Sequence, residues 1–191
     1  MPRISLLNIA HDRVRANLNP GAIAIDATVG NGNDTLFLLQ QIQPTGRVYG
    51  FDVQQAALDS ARSKIRQTER QDCLTLFHAS HASMAERIPE RHHGQISVCM
   101  FNLGYLPGGD KTVITQTEST LAALSAACKL LSASGMITIV AYPGHPGGDE
   151  ETAQVKRWCG RLDADQFTVS TIFSAEHKAS APRLFVVRKV G

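Results

Sequence analysis

Short apolar runs bounded by glycine, proline or asparagine alternate with helical patterns along all 191 residues, and this alternation constrains the fold most. Strands that are apolar throughout are typical of a parallel sheet buried on both faces, with helices as crossovers. The sequence therefore predicts an α/β fold with one mostly parallel seven-stranded sheet and helices on both faces. The predicted strands are Ala22 to Asp26, Arg47 to Asp52, Leu74 to His78, Ile96 to Asn102, Gly135 to Tyr142, Phe167 to Phe173 and Leu184 to Arg188.

Six further segments carry helical periodicity. They are Leu6 to Leu18, Asp34 to Gln43, Gln54 to Glu69, Met84 to Ile88, Val113 to Leu131 and Asp149 to Arg161. The longest repeats apolar residues at helical spacing, which predicts one buried face. That face consists of Leu121, Leu124, Ala127, Cys128 and Leu131. With 43% hydrophobic residues and no long linker, the chain is expected to form one domain over residues 1–191.

Composition narrows the classes of function. The formal charge is +2, from 19 basic and 17 acidic side chains, so RNA binding would need a local basic cluster. Because no apolar run approaches the roughly 20 residues that span a bilayer, and the start lacks a secretory apolar core, we expect a cytoplasmic protein. The cysteines form no Cys-x-x-Cys pair and are predicted to be reduced core residues. They are Cys73, Cys99, Cys128 and Cys159.

The first predicted strand runs into a glycine-containing turn and then an apolar helix. The turn reads Asp26-Ala-Thr-Val-Gly30-Asn-Gly32-Asn-Asp34-Thr35. A strand, a glycine turn and a helix form the setting of a nucleotide site, since glycine lets the backbone turn sharply and approach a ligand. Asp52 ends the second strand about 20 residues on, where a carboxylate can accept hydrogen bonds from ribose hydroxyls. The spacing favours an adenosine-type cofactor.

The flanking residues favour S-adenosylmethionine over a dinucleotide. Thr35 stands where the dinucleotide fingerprint has its third glycine, which a cofactor without a pyrophosphate does not require. Asp26 and Asp34 would repel a diphosphate but suit the ammonium group of the methionine end. Asp34 could instead be a helix N-cap, and Asp26 a strand-end turn residue.

An adenine contact is expected after the third strand, near Ser80 and His81, although Ser80 could equally cap the following helix. The predicted cofactor-binding residues are Asp26, Thr28, Gly30, Asn31, Gly32, Asn33, Asp34, Thr35, Asp52, Val53, Ser80, His81, Asn102 and Gly104.

Two glycine-rich loops follow the fourth and fifth strands. The first reads Asn102-Leu-Gly-Tyr-Leu-Pro-Gly-Gly-Asp110, and the second Tyr142-Pro-Gly-His145-Pro-Gly-Gly148. Loops that leave adjacent strands at the same sheet edge would form the walls of a substrate pocket. No second His or Cys stands at a metal-ligand spacing, so no metal is predicted.

The loop at Asn102 resembles the Asn-Pro-Pro-Tyr loop of amino-group methyltransferases, with Leu103-Gly104 in place of Pro-Pro. Three segments together closely resemble a small bacterial family labelled rRNA methylases. They are the first turn, the Asn102 to Lys111 segment and the Tyr-Pro-Gly-His-Pro-Gly-Gly-x-Glu-Glu segment. Members act as transfer-RNA 5-aminomethyl-2-thiouridine methyltransferases at the wobble uridine. The resemblance implies a Rossmann-like class I methyltransferase fold with an antiparallel last strand, and N-methylation of the aminomethyl group.

Roles in the reaction follow as a hypothesis, in which His145 could equally be only a hydrogen-bonding strut of its loop. Asn102 and the backbone at Leu103 would orient the target amine, Tyr105 would pack on the base, and Asp110 or His145 would accept its proton. The substrate-binding residues would be Leu103, Tyr105, Pro107, Gly108, Lys111, Tyr142, Gly144 and His145. RNA would be held first by Lys111, Lys178 and Arg183, and second by Arg13 and Arg15.

Other interpretations stay open at this point: a methyltransferase of rRNA or of a small molecule, a nicotinamide-dependent enzyme, and a non-catalytic RNA-binding protein of the same fold. The tRNA partner would bind through its anticodon region, and no membrane partner is expected. The sequence leaves a homodimer open, because an apolar patch on the outer helices could be a dimer face or cover for the sheet.

Overall fold

The computed structural model describes residues 5–104, 115–175 and 180–191, which contain one seven-stranded sheet. Its strands are β1 (Ile23–Asp26), β2 (Arg47–Asp52), β3 (Leu74–His78), β4 (Ile96–Asn102), β5 (Leu131–Ala141), β6 (Phe167–Phe173) and β7 (Arg183–Lys189). Four strands have the predicted bounds. The largest difference is β5, which begins four residues before the predicted Gly135 because Leu131 pairs with Ile96 of β4.

The strand order is β3-β2-β1-β4-β5-β7-β6. The pairs β2–β3, β1–β2, β1–β4 and β4–β5 are parallel, whereas β7 is antiparallel to both neighbours. The predicted α/β class with an antiparallel last strand is confirmed. The order reverses beside β1, between β2 and β4, and the crevice outside the carboxyl ends of strands at such a point is where open α/β sheets bind ligands.

Helices cover both faces of the sheet. They are α1 (Leu6–Arg15), α2 (Asn33–Ile42), α3 (Gln55–Ile65), α4 (Met84–Arg87), α5 (Thr117–Leu130) and α6 (Gly148–Cys159). Neighbouring strand residues point to opposite faces, so Ala24 packs in the core under α1, α2 and α3, and Ile25 in the core under α4, α5 and α6. With both faces covered, the loops at the strand ends are left to bind ligands.

All six helices end one to four residues earlier than predicted. The first ends at Arg15 instead of Leu18, and beyond it the Asn17 amide donates to the carbonyl oxygens of Ser97 and Ser134. The third ends at Ile65, short of Glu69. On α5, Leu124 and Ala127 are buried as predicted, but Leu131 belongs to β5, and residues 113 and 114 lie outside the described part of the chain.

All four cysteines are free thiols, as the sequence predicts, and Cys73, Cys99 and Cys159 are buried, whereas Cys128, also predicted to lie in the core, is only partly buried. No helix in the described ranges has both the length and the apolar character that crossing a membrane requires. The longest of these helices, α5, has 14 residues.

Candidate functional site

A cavity of about 880 Å³ opens at the carboxyl ends of β1, β2, β4 and β5. Its wall includes fifteen residues that the sequence predicts to bind cofactor or substrate. They are Thr28, Gly30, Asn31, Asn33, Asp34, Asp52, Val53, Ser80, His81, Asn102, Leu103, Gly104, Tyr142, Gly144 and His145. The fold therefore brings the three predicted loop regions together at one edge of the sheet.

Asp26 lies behind the cavity wall, which corrects its predicted contact with the cofactor. Its side chain has no exposed surface. Asp26 Oδ2 accepts a hydrogen bond of 2.5 Å from Thr35 Oγ1, and Oδ1 accepts one of 3.2 Å from the Thr28 amide. A strand-end carboxylate that accepts from the amide two residues on stabilises its own turn. Asp26 and Thr35 thus shape the loop from inside.

Gly32 also lies off the cavity wall, and its approach to a ligand stays a prediction. It has a positive φ of 72° and precedes the first residue of α2. A Cβ built on Gly32 would lie 2.7 Å from both Cα and Cβ of Ala61 in α3. Glycine is needed here for the turn and for close packing against α3.

Burial raises the pKa of Asp26 to about 7 from its ordinary value of 3.8, and the neighbouring Asp34 carboxylate adds to this effect. Between about pH 4 and pH 7 the folded protein then binds more protons than the unfolded chain, so the free energy of unfolding falls as pH rises. We expect Asp26→Asn to remove this decline, because an amide can accept from Thr28 and donate to Thr35 without ionising. Urea unfolding of both proteins from pH 4 to 8 measures it. If the free energies of unfolding of the two proteins changed in parallel with pH, the expectation would be contradicted.

Asp52 holds the end of β2 against the first loop. Its Oδ2 accepts a hydrogen bond of 2.9 Å from the Gly30 amide, and its Oδ1 accepts one of 2.8 Å from the Gln54 amide. Each oxygen keeps further acceptor capacity, since an ionised carboxylate offers about four lone-pair sites. Asp52 lines the cavity, so this capacity is available to a ligand.

Asp34 is paired with a residue that the sequence did not indicate. His11 Nε2 of α1 lies 2.7 Å from Asp34 Oδ1, and the His11 ring stacks on Phe37 with centroids 3.8 Å apart. The carboxylate is 8% exposed and still lines the cavity. His11 and Asp34 are 23 residues apart, and no local pattern links them.

The turn after β3 carries Ser80 and His81. Ser80 Oγ accepts a hydrogen bond of 3.2 Å from the Ala82 amide and caps the short 3₁₀ turn His81–Ser83, the alternative that the sequence left open. The buried His81 ring bonds through Nδ1 to the Ala27 carbonyl at 3.0 Å. Burial lowers the pKa of His81, so the ring is neutral at pH 7. It is a fixed part of the cavity wall.

The ends of β4 and β5 form the other side of the cavity. The Asn102 amide donates to Thr28 Oγ1 at 2.8 Å, and the Leu103 amide donates to the Val140 carbonyl at 2.9 Å. These two bonds fix the backbone that presents the Asn102 side chain. His145 of the next loop lies close to this strand end, since a Cβ built on Gly104 would lie 3.8 Å from His145 Nε2.

Some predicted residues lie outside the described part of the chain: Tyr105, Pro107, Gly108, Asp110, Lys111 and Lys178. Their roles stay predictions. Among the predicted RNA-binding cations, Arg183 lies at the cavity end of the sheet, where it pairs in register with Ala141. Arg13 and Arg15 lie in the last turn of α1, whose first turn carries Leu7 in the cavity wall.

The cavity wall is acidic. The charged side chains that line it, among the described residues, are Asp34, Asp52 and Glu118, and neither lysine nor arginine lines it there. The sequence prediction missed eleven further residues of this wall, which are Leu7, Ala27, Val29, Phe51, Gln54, Ala79, Thr115, Gln116, Glu118, Ser119 and Pro143. Within the described ranges, no group of three or more His, Cys, Asp or Glu side chains is arranged to hold a metal ion.

Comparison with known sequences places the chain among RNA-modifying proteins. Residues 48–188 match the family described as "Putative rRNA methylase". The chain is 40% identical over 189 residues to an Arabidopsis thaliana protein named "tRNA (mnm(5)s(2)U34)-methyltransferase, chloroplastic", and the match covers 95% of this chain and 68% of the relative.

Solved structures agree with this similarity. A crystal structure named "putative rRNA-methylase" from Clostridium thermocellum has a TM-score of 0.92 and 34% identity, with 100% of both chains covered. A "putative methyltransferase" from Streptococcus mutans, solved in complex with SAH, has a TM-score of 0.87 and 33% identity, and covers 98% of this chain and 99% of that one. The similarity therefore extends over nearly the whole chain.

Proposed function

This chain belongs to the family described as "Putative rRNA methylase", and from that premise we propose that it is an S-adenosylmethionine-dependent methyltransferase of transfer RNA. Its substrate is the 5-aminomethyl group of the wobble (2-thio)uridine, which it methylates on nitrogen. The observation that carries the proposal is the acidic cavity at the reversal of strand order, in a chain 40% identical to the Arabidopsis tRNA methyltransferase.

The residues of the cavity fit S-adenosylmethionine better than a dinucleotide. Asp52 has spare acceptor capacity for ribose hydroxyls, and Asp34 offers a carboxylate to the ammonium group of the methionine end. A diphosphate calls for cations or a cluster of amide donors, whereas the charged side chains of the described wall are carboxylates. The Streptococcus mutans relative was solved with SAH, which supports the same choice.

The cofactor supplies an electrophilic methyl group, so the protein's tasks are to align the nucleophile and to control its protonation. An alkyl amine resembles a lysine side chain, whose ordinary pKa of about 10.4 leaves it mostly protonated at pH 7. The cavity must therefore hold the amine in its neutral form while its nitrogen points at the cofactor. Desolvation within the cavity and a nearby acceptor both act in that direction.

Asn102 is the residue best placed to orient the amine. Its backbone is fixed by Thr28 and Leu103 is fixed by Val140, so the side-chain oxygen is offered as an acceptor from a rigid strand end. His145, on the adjacent loop, also lines the cavity, and among the described residues it is the candidate for the proton acceptor. Asp110 is the second candidate, and Tyr105 would stack on the base.

The tRNA would meet the protein around the cavity mouth. Arg183 lies at that end of the sheet, with its guanidinium carbon 5.2 Å from the centre of the Phe173 ring. A stacked, oriented guanidinium suits a phosphate group. Binding through phosphates should weaken steeply with rising salt concentration.

Methyl transfer from labelled S-adenosylmethionine tests the proposal directly. The acceptors are bulk tRNA and bulk rRNA from cells that lack the protein. We expect label in tRNA, and mass spectrometry of the digested nucleosides should show one added methyl on the wobble uridine. Label in rRNA alone would replace this substrate with the ribosomal one, and RNA binding without transfer would support the non-catalytic alternative.

Asn102→Ala should lower the rate of this transfer at saturating cofactor about 100-fold, the usual effect of removing one oriented polar group from an active site. The exposed Asn19, which precedes β1 at the opposite end of the sheet, provides a matched control. Asn19→Ala should keep the wild-type rate. Equal rates for the two variants would remove Asn102 from the reaction.

A further inference from the structure

We propose that Glu151 is a positioning residue, which fixes the backbone at Gly104 relative to the loop that carries His145. This inference rests on the proposed function, because it concerns the geometry of the same reaction site. Glu151 belongs to the Gly-x-Glu-Glu part of the second loop motif, to which the cofactor and substrate roles assign no function. It does not line the cavity itself.

Glu151 is a buried carboxylate with two hydroxyl donors. It is 3% exposed, its Oε2 accepts a hydrogen bond of 2.6 Å from Thr115 Oγ1, and its Oε1 accepts one of 2.7 Å from Thr120 Oγ1. Burial of a charge is costly unless hydrogen bonds compensate for it. The carboxylate therefore constrains both threonines, and through them the segment that leads into α5.

Thr115 passes this constraint on to the end of β4. Its Oγ1 also accepts a hydrogen bond of 3.1 Å from the Gly104 amide, and its own amide donates to the Gly104 carbonyl at 2.9 Å. Gly104 has a φ of 139°, a conformation that a side chain rarely adopts, so local preference alone does not hold it. The bonds from Thr115, oriented by Glu151, define its position.

Glu151 is also linked to the loop that carries His145. The helix α6 begins directly after this loop, with the Gly148 amide donating to the His145 carbonyl at 2.9 Å and the Glu151 amide to the Gly147 carbonyl at 2.9 Å. A Cβ on Gly148 would lie 2.6 Å from His145 Nε2, so the ring packs directly on the start of the helix. Glu151 thus joins the segments that follow β4 and β5, which lie side by side at the cavity.

Two threonines allow a test, because each gives one hydroxyl to the same carboxylate and only Thr115, which also lines the cavity, continues to Gly104. We expect Thr115→Val and Glu151→Gln each to lower kcat for methyl transfer at least about tenfold and to speed amide exchange at Gly104. The Glu151→Gln, Thr115→Val double variant should be no slower than the slower single variant, since the two residues act in series. Thr120→Val should change kcat less than about threefold.

Three measurements decide the outcome. Calorimetric titration with S-adenosylhomocysteine should give the same affinity for all variants within about threefold, and thermal unfolding should show Thr115→Val no less stable than Thr120→Val. The positioning role would be overturned if Glu151→Gln kept the wild-type kcat and the wild-type rate of amide exchange at Gly104. Equal losses of kcat in the two valine variants would also overturn it. If the wild-type protein transfers no methyl group to tRNA, the proposed function fails, while exchange at Gly104 still decides the role of Glu151.

Discussion

Replacing Asp52 by alanine should weaken the binding of S-adenosylmethionine by about two to three orders of magnitude. The side chain ends β2, holds the Gly30 and Gln54 amides, and offers acceptors to the ribose hydroxyls. Hydrogen bonds to a charged group contribute about 1.5–3 kcal/mol each, and tenfold in affinity corresponds to about 1.4 kcal/mol. The loss of two ribose contacts therefore accounts for the expected range, before any loosening of the Gly30 turn.

The exposed Asp59 of α3 provides the control for this change. Its carboxylate makes a surface ion pair with Arg62 at 3.1 Å and does not line the cavity. Such pairs contribute little to stability, so Asp59→Ala should bind the cofactor as the wild type does. Calorimetric titration of both variants measures the difference, with circular dichroism to show that each is folded. If Asp52→Ala binds within about threefold of the wild type, Asp52 is not a cofactor ligand.

The sheet was predictable because its signal is local. Strands such as β2 and β4 are buried nearly throughout, so a run of apolar residues marks their full length. The start of β5 was not predictable, since Leu131 also fits the helical spacing of α5. Its pairing with Ile96 places it in the sheet, and this pairing joins residues 35 positions apart.

The candidate site divides in the same way. The contact between Asp52 and Gly30 could be expected, because the spacing of strand, turn and strand brings the two loops side by side. The pairs His11–Asp34 and Thr115–Glu151 join elements whose relative position only the packed fold determines. Their residues carry no special spacing, so sequence patterns could not identify them.

Asp26 is instructive because its motif was recognised and its role was not. The sequence placed a carboxylate at the tip of β1 and assigned it to the cofactor. In the structure the tip points inward and its two oxygens bind Thr28 and Thr35, which is the strand-end turn role that the sequence left as the alternative, and Asp34 is the carboxylate of this turn that lines the cavity. A pattern of residue types locates the turn, but burial decides which of its carboxylates meets the ligand.

Gly32→Ala should lower the free energy of unfolding by about 3 kcal/mol, after the smaller entropy of the unfolded chain offsets up to about 1 kcal/mol. A left-handed conformation costs a residue with a side chain about 1–2 kcal/mol, and overpacking a buried contact costs about 1–3 kcal/mol more. Gly32 bears both costs, because its φ is 72° and its Cβ would lie 2.7 Å from two atoms of Ala61. The Cα of Ala61 is backbone, so the clash can be relieved only if α3 moves away from the first loop.

Gly94 allows the cost of the left-handed conformation to be measured without the cost of overpacking. It has the same φ of 72° and no atom within 4 Å of its Cβ position. Gly94→Ala should therefore cost only about 1 kcal/mol, because a smaller entropy of the unfolded chain offsets part of the strain. Urea unfolding followed by circular dichroism compares the two variants. A difference below about 1 kcal/mol would mean that α3 does not press on Gly32. The expected larger difference, with weaker cofactor binding in the folded Gly32→Ala protein, would show that packing against α3 holds the loop in its binding conformation.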